Sequence, residues 1–250
     1  MHLFKEKKST IVLIPARLNS KRLKQKITRT INGTPLIVHV VNRAKKMGIG
    51  KVVVASGDEK ISRICDKNKI ESHLTLKKHK SGSDRIYEVY EKFYKNYHII
   101  VNLQGDMPYF SDELIKNTLD LMNDKNVDIA TSAVKLKEIN RNNKNVVKVR
   151  VKMDKNKKGF AKDFFRESSS SNHLYHHIGI YIYTSYSLRK FISLSQTTNE
   201  KNRKLEQMRA LDNKLKIKVA LTNHEPFSVD TLSDLRKIRY FLKMKQNKKW

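Results

Sequence analysis

An apolar run, Ile11-Val-Leu-Ile, halts at Pro15 and gives way to a loop of small residues and spaced cations that reaches Lys26. A strand that is hydrophobic at every position, rather than at every second one, is buried on both faces, as parallel strands of α/β sheets are. Open α/β sheets bind their ligands just beyond the carboxyl ends of such strands. Arg17, Arg22 and Lys26 therefore stand where a polyanion would be held. Arginine offers a planar fork to phosphate oxygens, and lysine a mobile point charge. The pattern points to chemistry on a nucleoside triphosphate.

The rest of the chain reads as alternating strands and helices. Pro35 to Met47 has apolar residues at helical spacing and stops at Gly48 and Gly50. Lys51–Ser56 is a second buried strand, and Gly57-Asp58-Glu59 opens a short helix that runs to Asn68. His98–Gln104 is a third strand, Ser111 or Asp112 caps the next helix, and Asp128–Val134 is a fourth strand. This alternation predicts an α/β fold with a doubly wound, mostly parallel sheet. The middle differs. Val146–Met153 alternates apolar with basic residues, Asp154–Gly159 is a turn, and Phe160–Phe165 returns. The expectation there is a hairpin with one wet face, within a smaller α+β subdomain. Ser168–Asn172 is a polar link, and His177–Tyr183 and Lys216–Leu221 are strands. Ser185–Ser193 and Arg203–Asn213 are helices, and a helix from Thr231 to Gln246 closes the chain, capped by Thr231 or Ser233. The reading is one domain over 1–250. Its nucleotide-binding half is 9–134, a second part spans 135–225, and a closing helix and tail span 226–250.

The 250 residues carry 53 Lys and Arg against 24 Asp and Glu, a formal net charge of +29. The basic residues are scattered through every segment, and no nucleic-acid motif accompanies them. A solvated basic surface that attracts small anions is the expectation, with no specific nucleic-acid partner. The single cysteine, Cys65, has no intramolecular partner, which suits a reducing compartment. No apolar stretch approaches ~18 residues, so no membrane insertion is expected. The first residues lack the apolar core of a signal peptide, which makes the expected location cytoplasmic.

Several polar groups sit where chemistry is done. Asp106, in Gln104-Gly105-Asp106, ends a buried strand, where a carboxylate holds Mg²⁺ against phosphate oxygens or simply caps a helix. Asp230, before the last helix, carries the same two readings. Ser81-Gly82-Ser83 opens a helix, where backbone N–H groups grip a base edge or phosphate, or where Ser83 is merely the cap. His177 and Tyr181 share one side of a strand, lining a pocket or filling the core. Glu206 and Gln207 lie on a helix and by themselves read as a solvated face.

Taken in order, these strings resemble the 3-deoxy-manno-octulosonate (Kdo) cytidylyltransferase family. The resemblance rests on Ile14-Pro-Ala-Arg17-x-x-Ser20-x-Arg22-Leu with Lys26, Asn32-Gly-Thr-Pro-Leu-Ile-Val-His39 and His79-x-Ser81-Gly-Ser-Asp-Arg85. It continues through Val101-Asn-Leu-Gln104-Gly-Asp106-x-Pro108, Val146-Val-Lys148-Val and Phe165-Arg166. It closes with His177-Ile-Gly-Ile-Tyr181-x-Tyr183, Leu205-Glu206-Gln207-Met-Arg209 and Val229-Asp230-Thr. It implies a Rossmann-like nucleotidyltransferase fold and the reaction CTP + Kdo → CMP-Kdo + pyrophosphate, with Mg²⁺, for lipopolysaccharide biosynthesis. By the same resemblance, Arg17, Ser20, Arg22 and Lys26 hold the triphosphate, and Ser81, Gly82 and Gln104 lie near cytosine and ribose. Asp106 and Asp230 bind Mg²⁺, with Arg17, Lys26 and both aspartates forming the catalytic set. Arg166, His177, Tyr181, Glu206 and Gln207 position the sugar acid. A homodimer is implied, with Val146–Met153 suited to an edge strand covered by the partner.

The departures from the family pattern are local. Leu-Pro-Gly-Lys becomes Leu23-Lys24-Gln25-Lys26, which predicts a looser or reshaped loop. The acidic residue after the aspartate of Gln-Gly-Asp becomes Met107, and Thr-Asp becomes Ser56-Gly57-Asp58. Glu167 and a serine run follow Arg166. The change after Arg166 bears most on the sugar side and leaves room for another acidic sugar, an 8-amino-Kdo or a nonulosonate. The charge leaves room for a non-catalytic, nucleic-acid-binding relative.

Overall fold

Strand β1 (Thr10–Ala16) is buried at six of its seven positions, which matches its unbroken apolar run. A computed structural model describes residues 9–20, 22–167 and 172–247. After β1 the chain makes a two-residue antiparallel pair, β2 (Thr30–Ile31) and β3 (Thr34–Pro35), and enters α1 (Leu36–Met47). Helix α1 buries Leu36, Ile37, Val38, Val40, Val41 and Ala44, and ends at Gly48 in the left-handed conformation, φ 61°. Strand β4 (Lys51–Ser56), helix α2 (Glu59–Lys67), strand β5 (Ser72–Leu74) and helix α3 (Gly82–Phe93) follow. β4 runs parallel to β1, from Ile11↔Lys51 to Ala16↔Ser56, and β5 runs parallel to β4. The sequence pattern does not announce β5. Its three residues are half-buried or exposed and carry no apolar run.

Beyond β6 (Ile99–Asn102) and α4 (Asp112–Asp120) come β7 (Ile129–Lys135), β8 (Lys148–Val151), β9 (Lys158–Phe165) and β10 (Leu174–Thr184). Helices α5 (Ser185–Ser193), α6 (Thr198–Arg203) and α7 (Gln207–Asp212), strand β11 (Ile217–Leu221) and helix α8 (Leu232–Asn247) complete the chain. Two compact units result. The described residues up to Asn96, with Asn102–Phe110 and those from Pro226 onward, form the first; Tyr97–Val101 and Ser111–Glu225 form the second. The second unit therefore begins nearer residue 111 than 135, and the closing helix rejoins the first unit.

In the second unit the strands run β10–β7–β11–β9–β8. Here β7 and β11 are parallel, while β10–β7, β11–β9 and β8–β9 are antiparallel. The parallel pattern of the first unit does not carry through. The expected hairpin is present, with Lys148 opposite Phe165 and Arg150 opposite Asp163. Its strand β8 is not an edge, however, because it also pairs with β10, Leu174↔Arg150 to His176↔Lys148. Nor is its basic face wet throughout. Lys148 is 1% exposed, and its ammonium donates to the carbonyls of Asn143 (2.7 Å) and Arg166 (2.6 Å). The expected helix Arg203–Asn213 is the shorter α7, which starts only at Gln207, because Lys204 takes φ 54° and ends a preceding helix, α6, that the sequence reading did not anticipate. Most of the polar link, Ser168 to Ser171, lies outside the described residues.

Candidate active site

The loop after β1 is drawn onto the last helix by a shared apolar cluster of Leu23, Ile31, Leu36, Val229, Leu235 and Ile238. The segment after β6 reaches the same place through its backbone: Val229 N–H donates to Asp106 O and Phe227 N–H to Tyr109 O, both at 2.9 Å. Burying the apolar residues thus brings four polar ones together from three remote segments. Lys26 Nζ lies 2.5 Å from Asp106 Oδ2 and 2.9 Å from Asp230 Oδ1, and Arg22 Nη2 lies 2.9 Å from the same Asp230 oxygen. Lys26 is 9% exposed. Burial pulls its pKa down, but the charges of Asp106 and Asp230 and hydrogen bonds to both outweigh that, leaving it above the usual lysine value. The ammonium is therefore held charged.

Two carboxylate oxygens within reach of one cation form a hard donor set of the kind Mg²⁺ accepts, with substrate phosphates supplying further oxygens. The residues present fit that ion. Among the described residues, no group of three or more His, Cys, Asp or Glu forms a closed metal cage.

Gly105 lets this segment close on β1, since a Cβ there would lie 3.0 Å from the Pro15 carbonyl oxygen. The base-side candidates lie at the start of α3. Ser81, not Ser83, is its cap, accepting from Asp84 N–H at 3.2 Å, while Ser83 is fully buried. Asn102 donates to the Ser83 hydroxyl (3.2 Å) and accepts from Gln104 (3.4 Å), which links Gln104 to the turn carrying Ser81 and Gly82. Arg17 is exposed and Ser20 half-buried on the β1 loop.

The second unit holds the remaining candidates. His177 and Tyr181 face the same way despite a bulge between Ile178 and Tyr181, with ring centroids 5.5 Å apart. His177 is bonded to the Thr131 hydroxyl at 2.9 Å. Burial, and then the neighbouring His176, push its pKa down to about 3, so it is a neutral imidazole. Burial, then Glu206 and Tyr183, raise Tyr181 well above the usual phenol value. Gln207 is buried at the start of α7. Arg166 stands apart from this group. It donates to Lys144 O at 3.1 Å and lines a cavity of about 890 Å³ with Arg141, Lys144, Arg150 and Arg203, which His177, Tyr181, Glu206 and Gln207 do not line.

The cytidylyltransferase family profile matches residues 11–217. The 3-deoxy-manno-octulosonate cytidylyltransferase of Bartonella henselae is 37% identical over 238 residues, covering 93% of this chain and 98% of that protein. The chain belongs to the 3-deoxy-manno-octulosonate cytidylyltransferase family. The namesake enzyme of Brucella suis is 39% identical over 93% of this chain and 95% of its own. A solved CMP:2-keto-3-deoxy-manno-octonic acid synthetase in complex with CTP superposes with a TM-score of 0.85 at 27% identity, covering 95% of this chain and all of that one. The α/β nucleotidyltransferase fold and a nucleotidyltransferase activity follow from this membership.

In this cytidylyltransferase the altered loop keeps a turn that glycine would make at no cost. Gln25 takes φ 53°, ψ 35°, the left-handed conformation, and starts a 3₁₀ turn at Lys26. That strain costs about 1 kcal/mol. The loop is thus reshaped at Gln25, whose amide oxygen accepts from Lys60 at 2.7 Å. Met107 is 4% exposed and belongs to the core. Asp58, one residue beyond the family's usual aspartate, and Arg85 receive no role from the sequence pattern; Asp58 accepts from the Leu18 N–H of the β1 loop.

Proposed function

We propose that the protein transfers CMP from CTP to Kdo, giving CMP-Kdo and pyrophosphate, in the cytoplasm and in service of lipopolysaccharide synthesis. The convergence of Lys26, Asp106 and Asp230, in a chain with relatives named for that reaction, carries the reading. Arg17, Ser20, Arg22 and Lys26 take the triphosphate, and Ser81, Gly82 and Gln104 the cytosine and ribose. Asp106 and Asp230 hold Mg²⁺, which when bound neutralises charge on the phosphates and polarises them. The Kdo anomeric hydroxyl attacks the α-phosphorus in line and pyrophosphate leaves. The protein's own contribution is to place the reactants and to meet the developing negative charge with fixed cations. Lys26, kept protonated by its two carboxylates, is the best buried of those cations.

His177, Tyr181, Glu206 and Gln207 orient the sugar acid; Arg166, which lines a separate cavity, is left out of this group. Two further points rest on the resemblance: helices cover both faces of the parallel strands in a doubly wound arrangement, and two copies form a homodimer. Because β8 is paired on both sides, an edge-strand contact through it is not the means.

The test is pyrophosphate release from CTP and Mg²⁺ with and without Kdo. Kdo-dependent release is expected, and Asp106→Ala should lower turnover at least ~100-fold, the scale of losing one group that stabilises the transition state. Absence of release in a folded protein overturns the reading. Release only with 8-amino-Kdo moves the acceptor and keeps the reaction.

A further inference from the structure

The loops that leave β1, β4 and β5 in the first unit are tied together by residues with no part in the reaction as described above. Asp58 Oδ2 accepts from the Leu18 N–H at 2.9 Å, one residue past Arg17. Asp58 occupies the cap position of α2, where an aspartate ordinarily accepts from the helix's own N–H groups, yet its side chain makes no cap hydrogen bond. The carboxylate is spent on the neighbouring loop instead. The strand end beneath it is pinned. Gly57 N–H donates to Ala16 O at 2.8 Å, and the Ser56 hydroxyl donates to Asp58 O at 2.8 Å.

Gly57 has no room for a side chain. A Cβ there would fall 2.5 Å from Arg85 Nη1 and 2.8 Å from Arg85 Cζ. Arg85 is 3% exposed and donates to the Thr75 hydroxyl and, at 3.1 Å, to Leu76 O; Thr75 in turn donates to Ser56 O at 2.9 Å. Burial lowers the Arg85 pKa first and Arg17 lowers it further, while Asp58 and Glu88 act the other way. A buried guanidinium thus lies within electrostatic reach of the loop that carries Arg17, with Asp58 as a counter-charge between strand end and loop.

We propose that Asp58 is a positioning residue, which fixes the backbone at Leu18 so that Arg17 is presented to the nucleotide phosphates, with Gly57 and Arg85 forming its seat. The proposal rests on the reading of the β1 loop as the CTP triphosphate site. It accounts for the shifted aspartate. The carboxylate one residue later still reaches the loop, and the glycine before it makes space for Arg85.

The test compares Asp58→Ala with Asp58→Asn. A hydrogen bond to a charged acceptor is strong enough for its loss to cost about tenfold. Asp58→Ala should raise the KM for CTP about 10-fold with kcat within about twofold, and should speed amide hydrogen exchange at Leu18 by a similar factor. Asp58→Asn keeps an oxygen acceptor and should hold KM within about threefold. If Asp58→Ala does not fold, Asp58→Asn and Gly57→Ala decide, the first near wild type and the second with raised KM. Unchanged KM and unchanged Leu18 exchange in Asp58→Ala overturn the proposal. So does an equal fall in Tm for the alanine and asparagine variants with KM unmoved. Hydrogen exchange at Leu18 needs no nucleotide, so it judges the Asp58 contact even if wild type does not use CTP.

Discussion

Two titratable side chains are buried on opposite terms. Lys26 has two carboxylates against it and stays charged; His177 has a hydroxyl, aromatic rings and a second histidine, and stays neutral. The unfolded chain protonates His177 near pH 6.5, whereas the folded protein resists until about pH 3. The stability this contributes is complete above the unfolded value and is lost as pH falls toward the folded one, at up to ~1.4 kcal/mol per pH unit. From pH 6.5 to 5, wild type should therefore lose roughly 1.5–2 kcal/mol more than His177→Gln. Urea unfolding of both proteins at several pH values checks this, and parallel curves would refute it. The sequence showed that His177 shares a strand face with Tyr181. It could not show that both are buried, because burial depends on what the rest of the unit lays over that face.

At the scale of elements, the turn between α6 and α7 matters most for the sugar side. Glu206 and Gln207 stand just past it, and a buried pair braces it. Arg209 donates to Glu200 through Nε (2.9 Å) and Nη2 (2.7 Å), with its guanidinium 4.8 Å from the centre of the Phe191 ring. Arg209→Met should leave the Glu200 carboxylate buried without its main partner and cost about 3–5 kcal/mol, whereas adding Glu200→Leu should recover at least half. Denaturant unfolding of the single and double variants measures this, and a double variant no better than the single would contradict it. Helix α6 and the left-handed Lys204 that ends it leave no sequence mark, because Thr198–Arg203 holds no apolar residue to trace a buried face. The hairpin strand β8 was misjudged for a related reason. Alternation of apolar and basic residues reports a difference between two faces, but not whether the basic face meets water or, as at Lys148, carbonyl oxygens.

For the whole molecule, a formal charge of +29 sets a field that draws anions. The CTP association rate should fall about 10-fold as salt rises from about 0.01 M to 0.15 M, because the screening length shortens from about 30 Å to 8 Å. kcat at saturating CTP should hardly change; stopped-flow binding beside steady-state turnover separates the two, and a salt-independent rate would refute steering. The sequence by itself determined the buried strands, the helix starts near Ser111 and Thr231, the order of the motifs and hence the family, since each is written in neighbouring residues or in a string of short ones. Only the tertiary structure decided that Lys26 sits between Asp106 and Asp230, 80 and 204 residues away, that Arg166 lines a different cavity from His177, and that Asp58 serves the loop rather than its own helix. The reason is physical. Periodicity and capping are local preferences, while the meeting of distant polar groups is a by-product of where the apolar residues beside them, here Leu23 and Val229, find a common core.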